Sequence, residues 1–150
     1  MIRFLSFLLF LLCCHSPMGM AQGKKDMKDY WIDKYLSVSF PLESIRINST
    51  FGSRVDPFTG KHKQHKGLDL RARYEEVLSM FDGYVKGVGY DSGSGKYITM
   101  QYGDYTVSYC HLSEIWVSDN QKVYAGDPIG ISGTTGRSTG PHLHITCRLR

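Results

Sequence analysis

Short runs of alternating apolar and polar residues, separated by glycine-rich and charged turns, fill most of the chain after residue 40. A period of two is typical of strands that bury one face, and valine, isoleucine, tyrosine and phenylalanine favour strands. The pattern predicts an all-β fold, with antiparallel sheets packed as a sandwich-like core and a groove between loops. The predicted strands are residues 45–49, 68–72, 77–81, 84–88, 97–102, 105–111, 129–132 and 142–148.

The first 21 residues have the organisation of a signal peptide. Arg3 precedes an apolar run over residues 4–12, and Gly19-Met-Ala21 supplies the small residues of a cleavage site. The run is too short to span a bilayer comfortably. An uncleaved anchor is one alternative. A lipoprotein is another, although the small residue expected before the modified cysteine is absent. We expect an exported protein of the periplasm or cell envelope, with no stable membrane span after cleavage.

The rest of the chain divides into a polar linker, residues 22–40, and one domain, residues 41–150. The domain is long enough for one hydrophobic core of ordinary size, and we expect a monomer. The formal charge is +4, and Lys61, His62, Lys63 and Lys66 form a basic patch. No nucleic-acid partner is expected, because the chain lacks a recognition helix and a strand with interleaved aromatic residues. A solvated loop is the simplest interpretation of the patch, and attraction of acidic peptides or anionic polymers is the alternative.

Four histidines and one aspartate fall in three short segments of this domain, namely His65 and Asp69, His111, and His142 and His144. Side chains two or four residues apart share one face of a strand, so the first and third segments can each present a pair. The helical His-Glu-x-x-His motif is absent. Imidazoles and one carboxylate around an open position favour zinc. The set supplies three ligands and leaves two imidazoles for catalysis.

Several motifs together resemble the lysostaphin/LytM-type zinc endopeptidases, which cut peptide bonds in bacterial peptidoglycan. The resemblance covers roughly residues 45–148. It is carried by Phe51-Gly-Ser-Arg54-Val-Asp-Pro57, His65-Lys-Gly-Leu-Asp69, Asp82-Gly83-Tyr-Val85, Tyr109-Cys-His111-Leu112 and Ile129-Gly-Ile-Ser-Gly-Thr-Thr-Gly136-Arg-Ser-Thr-Gly-Pro-His142-Leu-His144.

The resemblance implies a role for each site residue. His65, Asp69 and His144 would be the ligands of one zinc ion per chain, at the floor of a narrow groove in a duplicated-hybrid-motif-like fold. His142 would act as general base, and His111 would stabilise the developing oxyanion. The expected function is hydrolysis of peptidoglycan peptide crosslinks, with stem peptides as the partner. A relative that binds peptidoglycan or activates an amidase without catalysis is one alternative, and a D,D-dipeptidase or carboxypeptidase is another.

The chain departs from the family pattern after Asp69. There the family usually has a small Gly-Thr-Pro-like turn before a valine, whereas this chain reads Arg73-Tyr-Glu-Glu76-Val77, apparently one residue shorter. A histidine that the family often has near residues 101–103 is also absent. The chain stops at Arg150, and most relatives run on through another turn and strand.

Two cysteines, Cys110 and Cys147, remain after the leader. Each lies one or three residues from a site histidine, so on a regular strand each would point away from the metal. Neither is expected to bind zinc. A disulfide and two buried thiols are equally compatible with the sequence. His62 is interpreted as a loop residue, and His15 leaves with the leader.

Overall fold

The fold is built from short strands, as the alternating pattern predicts. The computed structural model describes Met27 and residues 37–149, so the predicted signal peptide and most of the predicted linker lie outside the described residues. Lys34–Arg150 form one compact unit. The strands in the described part are β1 Ile47–Ser49, β2 Gly52–Val55, β3 His62–His65, β4 Leu68–Leu70, β5 Glu76–Leu78, β6 Gly83–Asp91, β7 Gly95–Tyr102, β8 Tyr105–Leu112, β9 Glu114–Ile115, β10 Lys122–Val123, β11 Pro128–Ile131 and β12 Leu143–Leu149.

The strands form three antiparallel sheets. The largest has seven strands in the order β1-β4-β12-β8-β7-β6-β10, and a second has three in the order β5-β11-β9. Strands β2 and β3 pair only with each other and form a separate hairpin. Residues 37–149 contain no helix, and no helix in the described part is long and apolar enough to cross a membrane. The all-β prediction is confirmed.

One hydrophobic core joins the seven-stranded and three-stranded sheets. Ile98, Leu143 and Tyr109 of the larger sheet and Val77 and Ile129 of the smaller one are fully buried in the same cluster. The Tyr109 hydroxyl accepts a hydrogen bond from the Met80 N–H at 3.0 Å and lies 3.0 Å from the Tyr102 hydroxyl. The buried hydroxyl groups therefore have hydrogen-bond partners within the core, which lowers the free-energy cost of burying them.

The eight predicted strands correspond to eight of the observed ones, with shifted ends. The hairpin of β2 and β3 and the short strands β9 and β10 were not predicted. Strand β3 reads His62-Lys-Gln-His65, and its exposed positions carry no apolar signal. The interpretation of His62 as a loop residue is wrong, because it pairs with Val55 across the hairpin.

A tight turn explains why this polar segment forms a hairpin. The Asp56 carboxylate accepts hydrogen bonds from the N–H groups of Phe58 and Thr59 at 2.9 and 3.0 Å, and the Gly60 N–H donates to the Asp56 carbonyl. Gly60 adopts φ +68°, a left-handed conformation that glycine reaches without strain. The strands of this hairpin lack a hydrophobic face, and the hydrogen bonds of the turn stabilise the hairpin instead.

Candidate metal centre and groove

The two faces of the seven-stranded sheet have different roles. On β12, Leu143 and Ile145 point into the core, so His144 between them points to the opposite face. On β4, Asp69 is paired with His144 across the ladder, and directly paired residues lie on the same face. This face lines a groove of about 1330 Å³ that also contains His65, His111 and His142.

His65 and Asp69 reach the groove from two different strands. His65 ends β3 and Asp69 lies within β4, so the segment between them is not the single strand that the spacing suggested. The side chains nevertheless converge, with 3.2 Å between His65 Nε2 and Asp69 Oδ1. His65 Nδ1 lies 2.7 Å from the Thr50 carbonyl oxygen, which can only accept. His65 therefore donates from Nδ1, which orients its Nε2 towards the site.

His144 completes a three-membered donor set. Its Nδ1 lies 2.6 Å from Asp69 Oδ1 and 3.2 Å from His65 Nε2. Donor atoms around a tetrahedral zinc with bonds of about 2.0–2.1 Å lie about 3.3 Å apart. In the absence of a metal these spacings are those of hydrogen bonds between the imidazoles and the carboxylate, and the same three atoms can instead direct lone pairs at one shared cation. Two imidazole nitrogens and one carboxylate oxygen in this arrangement therefore fit a zinc ion with an open fourth position.

Gly67 allows His144 to approach. A Cβ atom at residue 67 would lie 2.6 Å from His144 Cε1 and would also clash with the Ile145 carbonyl oxygen. Glycine at this position leaves room for the imidazole and for the backbone of β12, so any larger residue would displace a donor of the site.

His142 and His111 form a second pair beside the donor set. Their ring centroids are 4.7 Å apart, and His142 Nε2 lies 3.6 Å from Asp69 Oδ1. His142 Nδ1 lies 2.8 Å from the Gly140 carbonyl oxygen, and His111 Nδ1 lies 2.8 Å from that of Thr135. Each ring donates from Nδ1, so each neutral ring keeps the lone pair of Nε2 available to accept a proton.

A β-bulge turns His111 into the groove. Leu112 pairs with Lys96 and Tyr109 with Ile98, so Cys110 and His111 together oppose the single residue Tyr97. His111 has φ +63°, a left-handed conformation that is uncommon for a residue with a side chain and often marks a functional site. The extra residue breaks the alternation of the strand at this point.

The bulge also overturns the expectation for Cys110. This residue pairs with His144 and lines the groove, whereas a regular strand would have turned it away from the site. Cys110 is buried, Cys147 is exposed, and both are free, so the described chain contains no disulfide between them.

Burial alone lowers the pKa of an imidazole and raises the pKa of a carboxyl group. It lowers the pKa of the His111 imidazole, and repulsion from His142 and His144 lowers it further, although the Thr135 carbonyl opposes this. His111 is therefore neutral at neutral pH. Burial alone would raise the pKa of Asp69, but the hydrogen bond from His144 and the neighbouring imidazoles hold it below its ordinary value. Asp69 is thus ionised, as a metal ligand must be.

Two arginines that the sequence analysis left without roles contact the site or its walls. Arg54 on β2 lies with a guanidinium nitrogen 3.3 Å from Asp69 Oδ2, the oxygen that faces away from the two imidazoles. Arg137, in the 132–142 loop that carries His142, binds Asp56 in the turn between β2 and β3, with nitrogen–oxygen distances of 3.0 and 3.1 Å. Both arginines lie inside motifs that carry the family resemblance, which is the only signal that singled them out.

The chain matches a known family over its second half. The matching family is Peptidase family M23, and its model aligns with residues 63–150 of this chain. Peptidoglycan DD-endopeptidase ShyA from Vibrio cholerae is 40% identical over 115 residues, which is 74% of this chain. The chain spans only 27% of the length of that relative.

Two solved structures show the same fold. A zinc containing peptidase from Vibrio cholerae superposes with a TM-score of 0.68 and 34% identity, over 74% of this chain and 36% of the other. The catalytic domain of the antimicrobial peptidase lysostaphin from Staphylococcus simulans superposes with a TM-score of 0.65 and 29% identity. That superposition covers 70% of this chain and 80% of the lysostaphin domain.

Proposed function

The chain belongs to peptidase family M23, and on that premise we propose that it is a zinc-dependent endopeptidase that hydrolyses the peptide crosslinks of bacterial peptidoglycan. One observation carries the proposal. Three donor atoms that fit zinc lie beside two imidazoles whose Nε2 atoms are open to accept protons, in a groove that can hold a peptide. Hydrolysis needs this combination of an electrophilic metal and a proton acceptor.

His65, Asp69 and His144 would hold one zinc ion per chain. The donor distances and the ionised carboxylate support this assignment. Arg54 donates to the second oxygen of Asp69, which leaves the first oxygen directed towards the two imidazoles. When bound, zinc polarises the scissile carbonyl group and lowers the pKa of a coordinated water towards about 7.

His142 and His111 would handle the protons. His142 Nε2 accepts the proton of the attacking water, because Gly140 holds its Nδ1–H and directs the lone pair towards Asp69 and the metal donors. Neutral His111 cannot donate from Nε2, so it stabilises an oxyanion only after it has gained a proton. His142, which holds the proton taken from the water, then delivers that proton to the leaving amine.

A peptidoglycan substrate is supported by the relatives. ShyA is named a peptidoglycan DD-endopeptidase, and the lysostaphin domain is named an antimicrobial peptidase. Residues 1–21 would act as a cleaved signal peptide, residues 22–40 as a linker, and residues 41–150 as the catalytic domain, active as a monomer in the periplasm or cell envelope. Access to peptidoglycan requires such export.

Digestion of purified muropeptides tests the function. The full chain, loaded with zinc, is incubated with crosslinked dimers and with uncrosslinked monomers, and the products are identified by mass spectrometry. New amines from the dimers, lost in the His142→Ala variant, are the expected result. Trimming of the terminal residue of monomers alone would assign a carboxypeptidase instead. Binding without any product would assign a non-catalytic peptidoglycan-binding protein.

A further inference from the structure

Three arginines lie along one end of the groove. Arg71 and Arg73 alternate with Leu70 and Ala72, which are buried in the core, so the arginine side chains point to the groove face that also carries Asp69. Arg46 is the cross-strand neighbour of Arg71, because the Arg71 N–H donates to the Arg46 carbonyl at 2.7 Å. The three guanidinium groups form what we call the arginine wall.

The arginine wall is not neutralised by the protein itself. Within residues 37–149, no carboxylate lies within 4.0 Å of the guanidinium groups of Arg46, Arg71 or Arg73. The Glu75 carboxylate accepts a hydrogen bond from the Arg73 backbone N–H at 3.1 Å, not from an arginine side chain. Like charges that face each other across strands destabilise a sheet. The stability of the fold therefore does not account for Arg46 opposite Arg71, whereas binding of an anionic ligand between them does.

One member of the arginine wall lies where this chain departs from the pattern of its family, because Arg73 begins the segment that replaces the small turn usual before the valine. None of the three arginines belongs to the donor set of His65, Asp69 and His144. Their guanidinium groups are therefore available to contact a substrate in the groove.

We propose that Arg46, Arg71 and Arg73 bind a carboxylate group of the peptide substrate, on the assumption that the proposed peptidase function holds. The planar guanidinium group binds carboxylates through two parallel hydrogen bonds, which gives both affinity and orientation. Arg71 lies two residues beyond Asp69, about 7 Å along extended backbone. An extended substrate has the same spacing, so the recognised carboxylate lies about two residues from the scissile bond.

The chain offers a matched control at the opposite end of the groove. Arg148 lies on β12 with the same facing as His144, and it also lines the groove. Strand β12 runs antiparallel to β4, so Arg148 and Arg71 lie on opposite sides of the metal centre. Both are exposed arginines on one sheet face. Substitution of Arg148 therefore removes an equal charge without touching the arginine wall.

The test compares two substrates that differ in one functional group. One is a muropeptide dimer with a D-alanyl–diaminopimelyl crosslink and free diaminopimelyl carboxylates, and the other is the same dimer with those groups amidated. KM and kcat are measured for the wild type, the Arg46→Gln/Arg71→Gln variant and the Arg148→Gln variant. Binding of the intact dimers is measured separately by calorimetry in the His142→Ala background.

We expect the wild type to favour the carboxylate dimer by about tenfold or more in KM and Kd, as a charge-assisted hydrogen bond typically gives. The double variant should lose this preference and bind the two dimers with equal affinity, and Arg148→Gln should keep the preference. Equal affinity of the wild type for both dimers, or a preference that survives in the double variant, would overturn the subsite. Cleavage of both dimers in that case would leave the peptidase function intact. Preferential binding without cleavage would support the subsite and refute the peptidase.

Discussion

Arg137 binds Asp56 across 81 residues of sequence and joins the two walls of the groove. One wall is the hairpin of β2 and β3, whose turn contains Asp56, and the other is the 132–142 loop, which carries His142. The Arg137 backbone N–H also donates to the Gly93 carbonyl at 3.0 Å, and its guanidinium group lies 4.4 Å from the Phe58 ring. The loop that positions a proposed catalytic imidazole is thus held by one arginine at three points.

Replacement of Arg137 should therefore reduce turnover without removing the metal. We expect Arg137→Gln to lower kcat by about tenfold or more, because small displacements of a catalytic group are costly. Zinc content and kcat on crosslinked muropeptides are the measurements. Lys63 provides the control, since its ammonium group is 3.7 Å from the same carboxylate but its side chain is 63% exposed. Lys63→Gln should be close to wild type. Equal effects of the two substitutions would mean that Arg137 acts only through charge.

Loss of a donor should remove zinc. We expect His144→Ala and Asp69→Asn to reduce the zinc content of the purified chain from about one equivalent to a small fraction, because three protein ligands hold a catalytic zinc. Elemental analysis after dialysis measures this. His62→Ala is the matched control, because His62 is exposed on β3 and lies outside the donor set. Full metal content in His144→Ala would refute the ligand assignment.

Loss of a proton carrier should leave zinc in place. We expect His142→Ala and His111→Ala each to keep the metal and to lose about 10²–10⁴-fold in kcat, the usual contribution of general acid–base groups. Zinc content and kcat have to be measured on the same preparation. A variant that loses its metal would identify the missing imidazole as a ligand, and a variant with normal kcat would exclude that residue from proton transfer.

Acid should weaken the Asp56 turn. Burial alone would raise the pKa of Asp56, but the N–H groups of Phe58 and Thr59 and the charge of Arg137 hold it below its ordinary value. The folded state therefore binds this proton less readily than the unfolded state, whose aspartate pKa is about 3.9. The stabilisation is present above that pH and is lost as the pH falls through the folded value. Urea unfolding of the wild type and Asp56→Asn should differ at pH 7 and converge as the pH falls below the unfolded value and through the lower folded one. A constant difference would contradict this.

Sequence patterns predicted the all-β class, the family and eight strand positions, and each is confirmed. Alternation predicts strands reliably where one face is buried, as in β7 and β12. It fails for β3, whose stability comes from a turn built on Asp56 and from pairing with β2 rather than from an apolar face. Hydrogen bonds of this kind, between a side chain and the backbone, are difficult to predict from amino-acid composition.

The five site residues were chosen from spacing and resemblance, and the structure brings all five into one groove. Their roles as ligands or proton carriers remain predictions. The spacing argument treated residues 65–69 and 109–111 as regular strands. In the first case a strand boundary intervenes, and in the second a bulge does. Neither can be deduced from alternation, because an inserted residue changes the facing of every residue on one side of it.

The bulge at His111 has a consequence for oxidation chemistry. It makes His111 face the same groove as the neighbouring Cys110 thiol, whose burial raises its pKa to about 11, although a hydrogen bond from Ser94 opposes this. Thiolates, not thiols, react with oxidants and disulfides and compete for soft metals. Cys110 therefore stays protonated and inert beside the donor set at neutral pH. Cys147 is exposed, so an oxidant or an alkylating reagent should modify it first and leave the thiol in the groove intact.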